Sequence, residues 1–437
     1  MLVLLFVCQM RIIELLTRAS TPTFAELHSH YSRNIVNLPI PTANATAASP
    51  YQLLEILGLI IAQTLCLSLI YRTFSDQSPH VSAKISLAIS VVVMILVSLQ
   101  AKFTSADTYA YIGYAKLGLA AYAPPDRPFA GDFAMINAQW GSPIRPSVYG
   151  PFWTVMSKLA IMGSATLGQA LLALRIFNLA VLGLLILCVA SIRKDYAVVV
   201  LLAINPAIYY SYIIMGHNDL FAALLVVAAM AVIARRPILG VALAAGSGLV
   251  KISFLFISAL VFAYDQALKK RLLLFALAVT CCLLLSWLFG GKSYLLDLVQ
   301  KVNHDNDQEV YPLGKLLLHL MVAVEAVAVI IAVGFGRFFR SAAWNFCAMP
   351  VRLSSTYLAW SLPYALKARS YTATFLVMWP LALATIGSTV YGSPWRVREL
   401  AMLCILLYVA FDVLSVLRGK YAPDTVTNDL AIAPTPH

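Results

Sequence analysis

Long apolar runs separated by short basic groups decide what this chain can fold into. Several runs approach the roughly 20 residues that a helix needs to cross a bilayer, as over 52–71, 84–101 and 170–190. The whole sequence is 61% hydrophobic and only 11% charged, which is far from the composition of a soluble domain. Because backbone polar groups find no partner in hydrocarbon, runs of this kind cross as helices. The sequence therefore predicts an all-α polytopic membrane protein.

The basic residues indicate how the chain crosses the membrane. They exceed the acidic residues by 31 to 19, but they sit in small groups at the ends of apolar runs, as topology signals do. We therefore exclude a nucleic-acid partner. If all the groups are cytoplasmic, an even number of crossings separates each neighbouring pair. The groups are Arg193/Lys194, Arg235/Arg236, Lys269/Lys270/Arg271, Arg337/Arg340, Lys367/Arg369 and Arg418/Lys420.

The chain divides by composition into two parts. Residues 1–51 form a poorly defined N-terminal segment and outer loop, in which 1–18 is apolar but carries Arg11 and Glu14. We interpret residues 1–18 as a poor first membrane span or as an imprecisely assigned start of the sequence, and not as a signal peptide. Residues 52–437 are predicted to be one multi-span domain, with 102–163 as its catalytic outer loop and interfacial helix.

The crossing rule settles two ambiguous places. Residues 151–163 are apolar, but a crossing there would put the next basic group outside, so a helix lying in the outer interface is predicted. Residues 237–264 must enter and return between two cytoplasmic groups. Each arm of about 13 residues rises only about 20 Å, so a shallow hairpin is predicted, with Lys251 near its apex. The same arithmetic applies to 341–366, with Arg352 near its apex.

The polar stretch 102–151 opens with an acid directly after a span. Asp107 is thereby placed at the membrane interface, where a partly buried carboxylate can act as a general base. The alternative is a carboxylate that simply ends a helix in water. A second outer loop is predicted over 290–314.

A second polar motif, 215–219, lies between two apolar runs on the same predicted side. Asn218 is placed to cap a helix that begins near Asp219, where the positive helix terminus favours an acid. The motif Gly216-His217-Asn218-Asp219 is also suited to orienting a base or a polar acceptor. Both interpretations stay open.

Lys251 and Arg352 are ionisable residues inside apolar runs. Intramembrane charges are costly and therefore point to function, and a lysine is a good point-charge partner for a phosphate. Snorkelling of the side chain is the alternative. The acidic run 303–309 lacks the spacing of metal ligands, so no metal is predicted. No Gly-rich phosphate loop followed by a lysine is present, and no cofactor is predicted.

A series of short motifs runs in order from about residue 100 to 370. Together they resemble the GT-C class of membrane glycosyltransferases, and most closely glycosyltransferase family 87 and the polyprenol-phosphate-mannose-dependent mannosyltransferases of bacteria. Two motifs depart from the family pattern, since 114–116 reads Tyr-Ala-Lys for Tyr-Gly-Arg and 120–122 reads Ala-Ala-Tyr for Asn-Pro-Tyr. The matching residues are Asp107, Tyr109 and Tyr111, then Ser147, Tyr149, Gly150, Pro151 and Trp153, then Gly216 to Asp219, Val250-Lys251, Tyr357, Trp360 and Leu362-Pro363.

The resemblance implies a GT-C-like bundle of about 11–14 transmembrane helices with a long first outer loop containing juxtamembrane helices. It implies a polyprenyl-phosphate-linked sugar donor, with mannose as the sugar, and a lipid or glycan acceptor. Transfer is expected at the outer face of the plasma (inner) membrane, with inversion.

The resemblance also implies roles for single residues. Asp107 is the expected general base, although Asp219 stays open as the alternative. Lys251 is expected to neutralise the donor phosphate, assisted by Lys116 or Arg352. The residues expected to position the substrates are His217, Asn218, Asp219, Tyr109, Tyr149 and Trp360.

Two other classes of protein fit part of the sequence. A polytopic transporter or a lipid or glycan flippase explains the spans and the intramembrane lysine. It does not explain the long outer loop, and it predicts an internal repeat that we do not find. A membrane ligase or polymerase of surface glycans would share the outer site but depend on arginines in another outer loop.

Overall fold

The computed structural model describes residues 1–15, 50–75, 80–101, 104–140, 144–193, 195–263, 266–307, 312–336, 358–367, 369–387 and 395–418. Helices dominate these residues, and no strand occurs among them. The predicted all-α class is confirmed.

Seventeen helices make up the described part of the chain. Short 3₁₀ turns lie between them over Gly118–Tyr122, Gly131–Phe133 and Ser258–Phe262. The helices are α1 (2–15), α2 (Pro50–Ser75), α3 (Val81–Gln100), α4 (Ala106–Leu117), α5 (Met135–Trp140), α6 (Pro151–Ile161), α7 (Leu167–Ile192), α8 (Tyr196–Ile204), α9 (Pro206–Ile208, continued as a π-helix over Tyr209–Ile214), α10 (Asp219–Val232), α11 (Pro237–Val250), α12 (Ser253–Ile257), α13 (Leu268–Asp307), α14 (Pro312–Phe335), α15 (Leu358–Lys367), α16 (Arg369–Gly387) and α17 (Trp395–Leu417).

Four of the described helices are long and apolar enough to cross a membrane, and α8 with α9 makes a fifth if the pair, bent by 41°, is one span. The spans predicted over 52–71, 84–101 and 170–190 coincide with α2, α3 and α7, so they are confirmed. The expected total of 11–14 is larger than this number and stays a prediction. The four candidate spans are Leu54–Ser75, Val81–Gln100, Leu167–Ile192 and Leu268–Leu298.

The bend between α8 and α9 carries the chain into the motif at 215–219. Asn205 interrupts the helix, and its side chain accepts a 3.1 Å hydrogen bond from Ala207 N. Pro206 follows as a first-turn proline, which has no N–H to leave unpaired. The π-helix ends with Met215 N donating to Tyr210 O over 3.0 Å. Such π segments are frequent at functional sites.

The shallow hairpin predicted over 237–264 is broken at Lys251. α11 has 14 residues and rises about 21 Å, short of a roughly 30 Å hydrocarbon core. Beyond the break, the Ser247 hydroxyl lies 3.4 Å from the Phe254 carbonyl oxygen, to which it donates. The break thus lies where the sequence places the apex. Arg352, the apex of the other predicted hairpin, lies outside the described residues.

The second outer loop predicted over 290–314 is helical over 290–307, and its place outside the membrane stays a prediction. α13 continues to Asp307, with a kink at Gly291, whose φ is 68°. The kink lets Tyr294 pack edge-on against Tyr122 with ring centroids 5.1 Å apart. Tyr294 is fully buried there. Burial of this aromatic side chain favours continuation of α13 beyond Gly291.

The first outer loop contains helices, as expected. α4, α5 and α6 all lie within 102–163, and Pro151 occupies the first turn of α6 as its sequence position suggests. α6 has 11 residues and rises only about 16 Å, which fits a helix that does not cross. α1 is tied to α2 by Arg11, whose Nε donates to Glu55 over 2.7 Å. The domain boundaries at 51/52 and 102–163 stay predictions.

Candidate active site

The first turn of α4 presents Asp107. The helix begins after Ser105, whose hydroxyl accepts from Thr108 N over 3.3 Å and so caps it. A carboxylate in the first turn is stabilised by the positive end of the helix dipole. Asp107 therefore sits where its ionised form is favoured, and its side chain is 34% exposed.

The motif at 215–219 is held directly against this helix end. Ser105 Oγ and Thr108 Oγ1 both donate to the Met215 carbonyl, at 2.7 and 2.8 Å. Gly216 follows with φ +71°, and a Cβ on it would lie 2.4 Å from Thr108 Oγ1. Only glycine combines that left-handed backbone with so close an approach. The glycine is thus what lets α4 and the motif meet.

This contact brings Asp107 to His217, although 110 positions separate them. Asp107 Oδ2 lies 3.3 Å from His217 Nδ1, close enough for an ion pair when the imidazole is protonated. The histidine side chain is only 7% exposed. One acid of the site therefore faces solvent on one side and a buried imidazole on the other.

The second acid, Asp219, is buried and bonded. Its side chain is 1% exposed, and its Oδ1 accepts from Lys251 Nζ at 2.9 Å and from Trp360 Nε1 at 2.8 Å. The Lys251 ammonium also lies 5.7 Å from the centre of the Trp360 ring, a cation–π distance. The lysine at the hairpin break is 18% exposed. Its side chain is therefore partly accessible.

The end of the outer loop is fastened to the same hairpin break. Gly150 N donates to the Val250 carbonyl over 3.1 Å, and a Cβ on Gly150 would lie 2.0 Å from Leu249 O. Tyr122, at the loop's other limb, donates its hydroxyl to the Tyr149 carbonyl over 2.9 Å. The Tyr149-Gly150-Pro151 motif thus sets the distance between α4, α6 and Lys251.

Tyr111 joins the two halves of the site. Its hydroxyl donates to Asn218 Oδ1 over 3.3 Å, and its ring meets those of Tyr149 and Trp153 edge-on at 4.8 and 5.1 Å. Burial, and secondarily the charges of Asp107 and Asp219, raises the pKa of Tyr111 well above its ordinary value. The phenol is therefore a neutral donor. The expected side-chain cap by Asn218 is wrong, because no cap bond forms at the start of α10.

The structure brings together most of the predicted residues and places two of them, Tyr109 and Lys116, elsewhere. Tyr109 is 1% exposed in the core near Arg175, with no face left for a sugar. Lys116 donates instead to the Ser164 carbonyl over 3.2 Å and lies over the Phe133 ring. Arg352 is outside the described residues. The residues brought together are Asp107, His217, Asn218, Asp219, Lys251 and Trp360, with Tyr149 behind Tyr111.

Helical geometry explains the main residue missed. The motif Asp-x-Tyr-x-Tyr lies on α4, where positions four apart share a face and positions two apart do not. Tyr111 therefore stands beside Asp107, and Tyr109 points into the core. Lys116 is nine positions from Asp107, or about 13 Å along the helix. Ser105, Thr108 and Gly150 were missed because their contacts are to distant backbone.

No group of three potential metal ligands occurs among the residues whose side chains the structure describes. The acidic run 303–309 lies outside them. The described part of the candidate site consists of two acids, each beside one basic side chain, with hydroxyl and indole donors around them.

Comparison with known proteins identifies the family of the chain. The sequence profile of a family described as α-(1→6)-mannopyranosyltransferase, N-terminal domain, matches residues 24–267. This is more than half of the chain, and it includes Asp107, His217, Asp219 and Lys251. No curated protein and no solved structure matches the chain. The chain therefore belongs to the α-(1→6)-mannopyranosyltransferase family and is a membrane mannosyltransferase.

Proposed function

We propose that this protein transfers mannose from a polyprenyl-phosphate-linked donor to a lipid or glycan acceptor at the outer face of the plasma membrane. Asp107 removes the proton from the acceptor hydroxyl, which attacks the anomeric carbon and inverts it. Lys251 neutralises the phosphate as it leaves. The family description supplies the sugar and suggests an α-(1→6) linkage, so the attacking group is a 6-hydroxyl. An inverting enzyme that makes an α linkage consumes a β-linked donor.

The unequal environment of the two acids carries this proposal. A general base must reach the proton that it removes, and Asp107 is 34% exposed at the start of α4. Asp219 is 1% exposed and already bonded to Lys251 and Trp360. These facts favour Asp107 as the base. They leave Asp219 to hold the lysine.

Lys251 is suited to the donor phosphate. An ammonium has three N–H donors, so a bond to Asp219 and a bond to a phosphate oxygen are compatible. Charge stabilisation of a leaving group is worth most in a site that excludes water, and Lys251 is 18% exposed at the break of a hairpin inside apolar helices. Arg352 is a second proposed cation for the phosphate. Trp360, Tyr149 and Asn218 are proposed to position the two substrates, whereas His217 lies against Asp107 and is proposed to act through it.

The test is sugar transfer by the purified protein in nanodiscs, with radiolabelled polyprenyl-phosphate-mannose as donor. We expect wild type to consume the donor, and Asp107→Asn to lose about 10²–10⁴-fold in kcat, the usual contribution of a general base. Lys251→Ala should lose activity as well. Asp126→Asn changes an exposed acid of the same outer loop and should behave as wild type.

Two results would contradict the proposal. An Asp107→Asn variant as active as the Asp126→Asn control would remove Asp107 as the base. Wild-type protein that transfers no sugar from this or other polyprenyl-phosphate donors, but moves labelled lipid across liposomes, would support a flippase instead.

A further inference from the structure

His217 has no evident task if Asp107 alone handles the proton. Its Nδ1 atom is buried and makes no hydrogen bond of good geometry among the described residues, yet it lies 3.3 Å from Asp107 Oδ2. A buried polar atom without such a bond is costly. Catalytic hydrogen bonds are often long in the free enzyme and tighten in the complex with substrate. The pair is therefore arranged to share a proton during the reaction.

We propose that His217 receives from Asp107 the proton that the acceptor hydroxyl loses, so that the two side chains act as one base. This inference rests on the function proposed above. His217 acts through Asp107 and does not touch the substrate.

The step balances in protons and electrons. The acceptor O–H bond breaks and an Asp107 O–H bond forms, while the acceptor oxygen bonds to the anomeric carbon. The bond from that carbon to the phosphate oxygen breaks, and its electron pair stays on the leaving phosphate. The proton then passes from Asp107 to His217 Nδ1, which restores the carboxylate. It returns to water through Asp107, the exposed member of the pair.

Basicity gives the transfer its direction. Imidazole is intrinsically a stronger base than a carboxylate, so a proton taken up by the imidazole is kept away from the newly formed glycosidic oxygen. The resulting imidazolium and the Asp107 carboxylate form an ion pair at contact distance.

The other ionisable groups of the site are not placed to accept the proton from Asp107. Asp219 Oδ1 accepts from Lys251 and Trp360, and Tyr111 is held neutral by burial while its hydroxyl donates to Asn218. The loop that carries His217 is fixed by the two hydroxyls on Met215 O and by Gly216. The imidazole is thus held at Asp107 by the protein itself, before substrate arrives.

Two substitutions of His217 separate proton transfer from mere orientation. His217→Asn keeps a polar group near Asp107 but takes up no proton, and His217→Ala leaves a space for added imidazole. We expect both variants to lose about 10²-fold in kcat, with the KM for the donor within about twofold of wild type. Imidazole in the buffer should restore His217→Ala by at least about tenfold and leave His217→Asn unchanged.

The control is His80→Ala, which removes an exposed histidine that makes no capping bond at the start of α3. It should keep wild-type kcat with and without imidazole. A His217→Asn variant with wild-type kcat would overturn the inference, because orientation alone would then suffice. Failure of imidazole to restore His217→Ala would overturn it too. Either result with active wild type leaves the proposed mannosyl transfer standing, whereas inactive wild type removes both.

Discussion

Gly150 donates its backbone N–H to the carbonyl of Val250 over 3.1 Å. The bond joins the residue before α6 to the residue before Lys251. The φ of Gly150, −68°, is open to any residue. A side chain is excluded instead by Leu249 O, which would lie 2.0 Å from a Cβ at this position. The contact between α6 and the break at Lys251 therefore depends on the absence of one methyl group.

Gly150→Ala should separate the loop from the hairpin. We expect a loss of about 1–3 kcal/mol in the free energy of unfolding, as for other overpacked sites, together with a fall in transfer activity. Thermal unfolding and donor turnover measure the two effects. Gly163→Ala is the matched control, because nothing lies within 4 Å of a Cβ there. Equal melting temperatures for the two variants would show that the loop is not held by this contact.

Ser105 and Thr108 should support each other, because both hydroxyls bind the Met215 carbonyl. Ser105→Ala or Thr108→Val alone leaves that carbonyl one donor, so each should cost only about 0.5–1.5 kcal/mol. The double variant leaves a buried acceptor with neither hydroxyl. It should lose more free energy of unfolding than the two single variants together. A double-mutant cycle on thermal stability measures the difference. Simple additivity would mean that the two bonds are independent.

Lys251→Met should destabilise the protein by about 3 kcal/mol, because it leaves the buried Asp219 carboxylate without its cation. Adding Asp219→Asn removes that charge, so the double variant should recover most of the lost stability. Donor turnover should stay low in both, since each lacks the proposed phosphate-binding lysine. A double variant that regains activity with its stability would show that Lys251 serves the fold alone.

Trp360→Phe should weaken donor binding. The indole N–H donates to Asp219 Oδ1 over 2.8 Å, and a hydrogen bond to a charged group is worth about 1.5–3 kcal/mol. Its loss frees Asp219 to shift and carry Lys251 with it. We expect the KM for the donor to rise by about tenfold or more. Trp287→Phe alters an exposed tryptophan on α13 and should leave KM unchanged.

Hydropathy predicted the spans at α2, α3 and α7 because each is a local property of about 20 residues. The break at Lys251 followed from counting crossings between basic groups, which is also a local argument. The course of α13 did not follow, because Tyr294 is buried against Tyr122, 172 positions away in the sequence. A contact of that range leaves no mark in local composition.

The site was predictable where a motif holds its own chemistry, as at Asp107 and at 216–219. The predicted roles of Tyr109 and Lys116 do not match the positions of these side chains in the structure. The reason is that the start of the polar stretch was not interpreted as a helix with two faces. The predicted side-chain cap at Asn218 is absent for another reason. Tyr111 approaches from a different helix and takes the amide oxygen that the cap requires.

The φ of 68° at Gly291 also sets how much of α13 the bilayer must hold. A straight helix of 40 residues is about 60 Å long, twice the thickness of the hydrocarbon layer. The kink separates 268–290, which rises about 35 Å and is long enough to cross, from a remainder whose Tyr294 packs against Tyr122. One glycine therefore lets the first part tilt separately from the second, and lipids of different chain length should change the tilt of the first part more than the packing of Tyr294 on Tyr122.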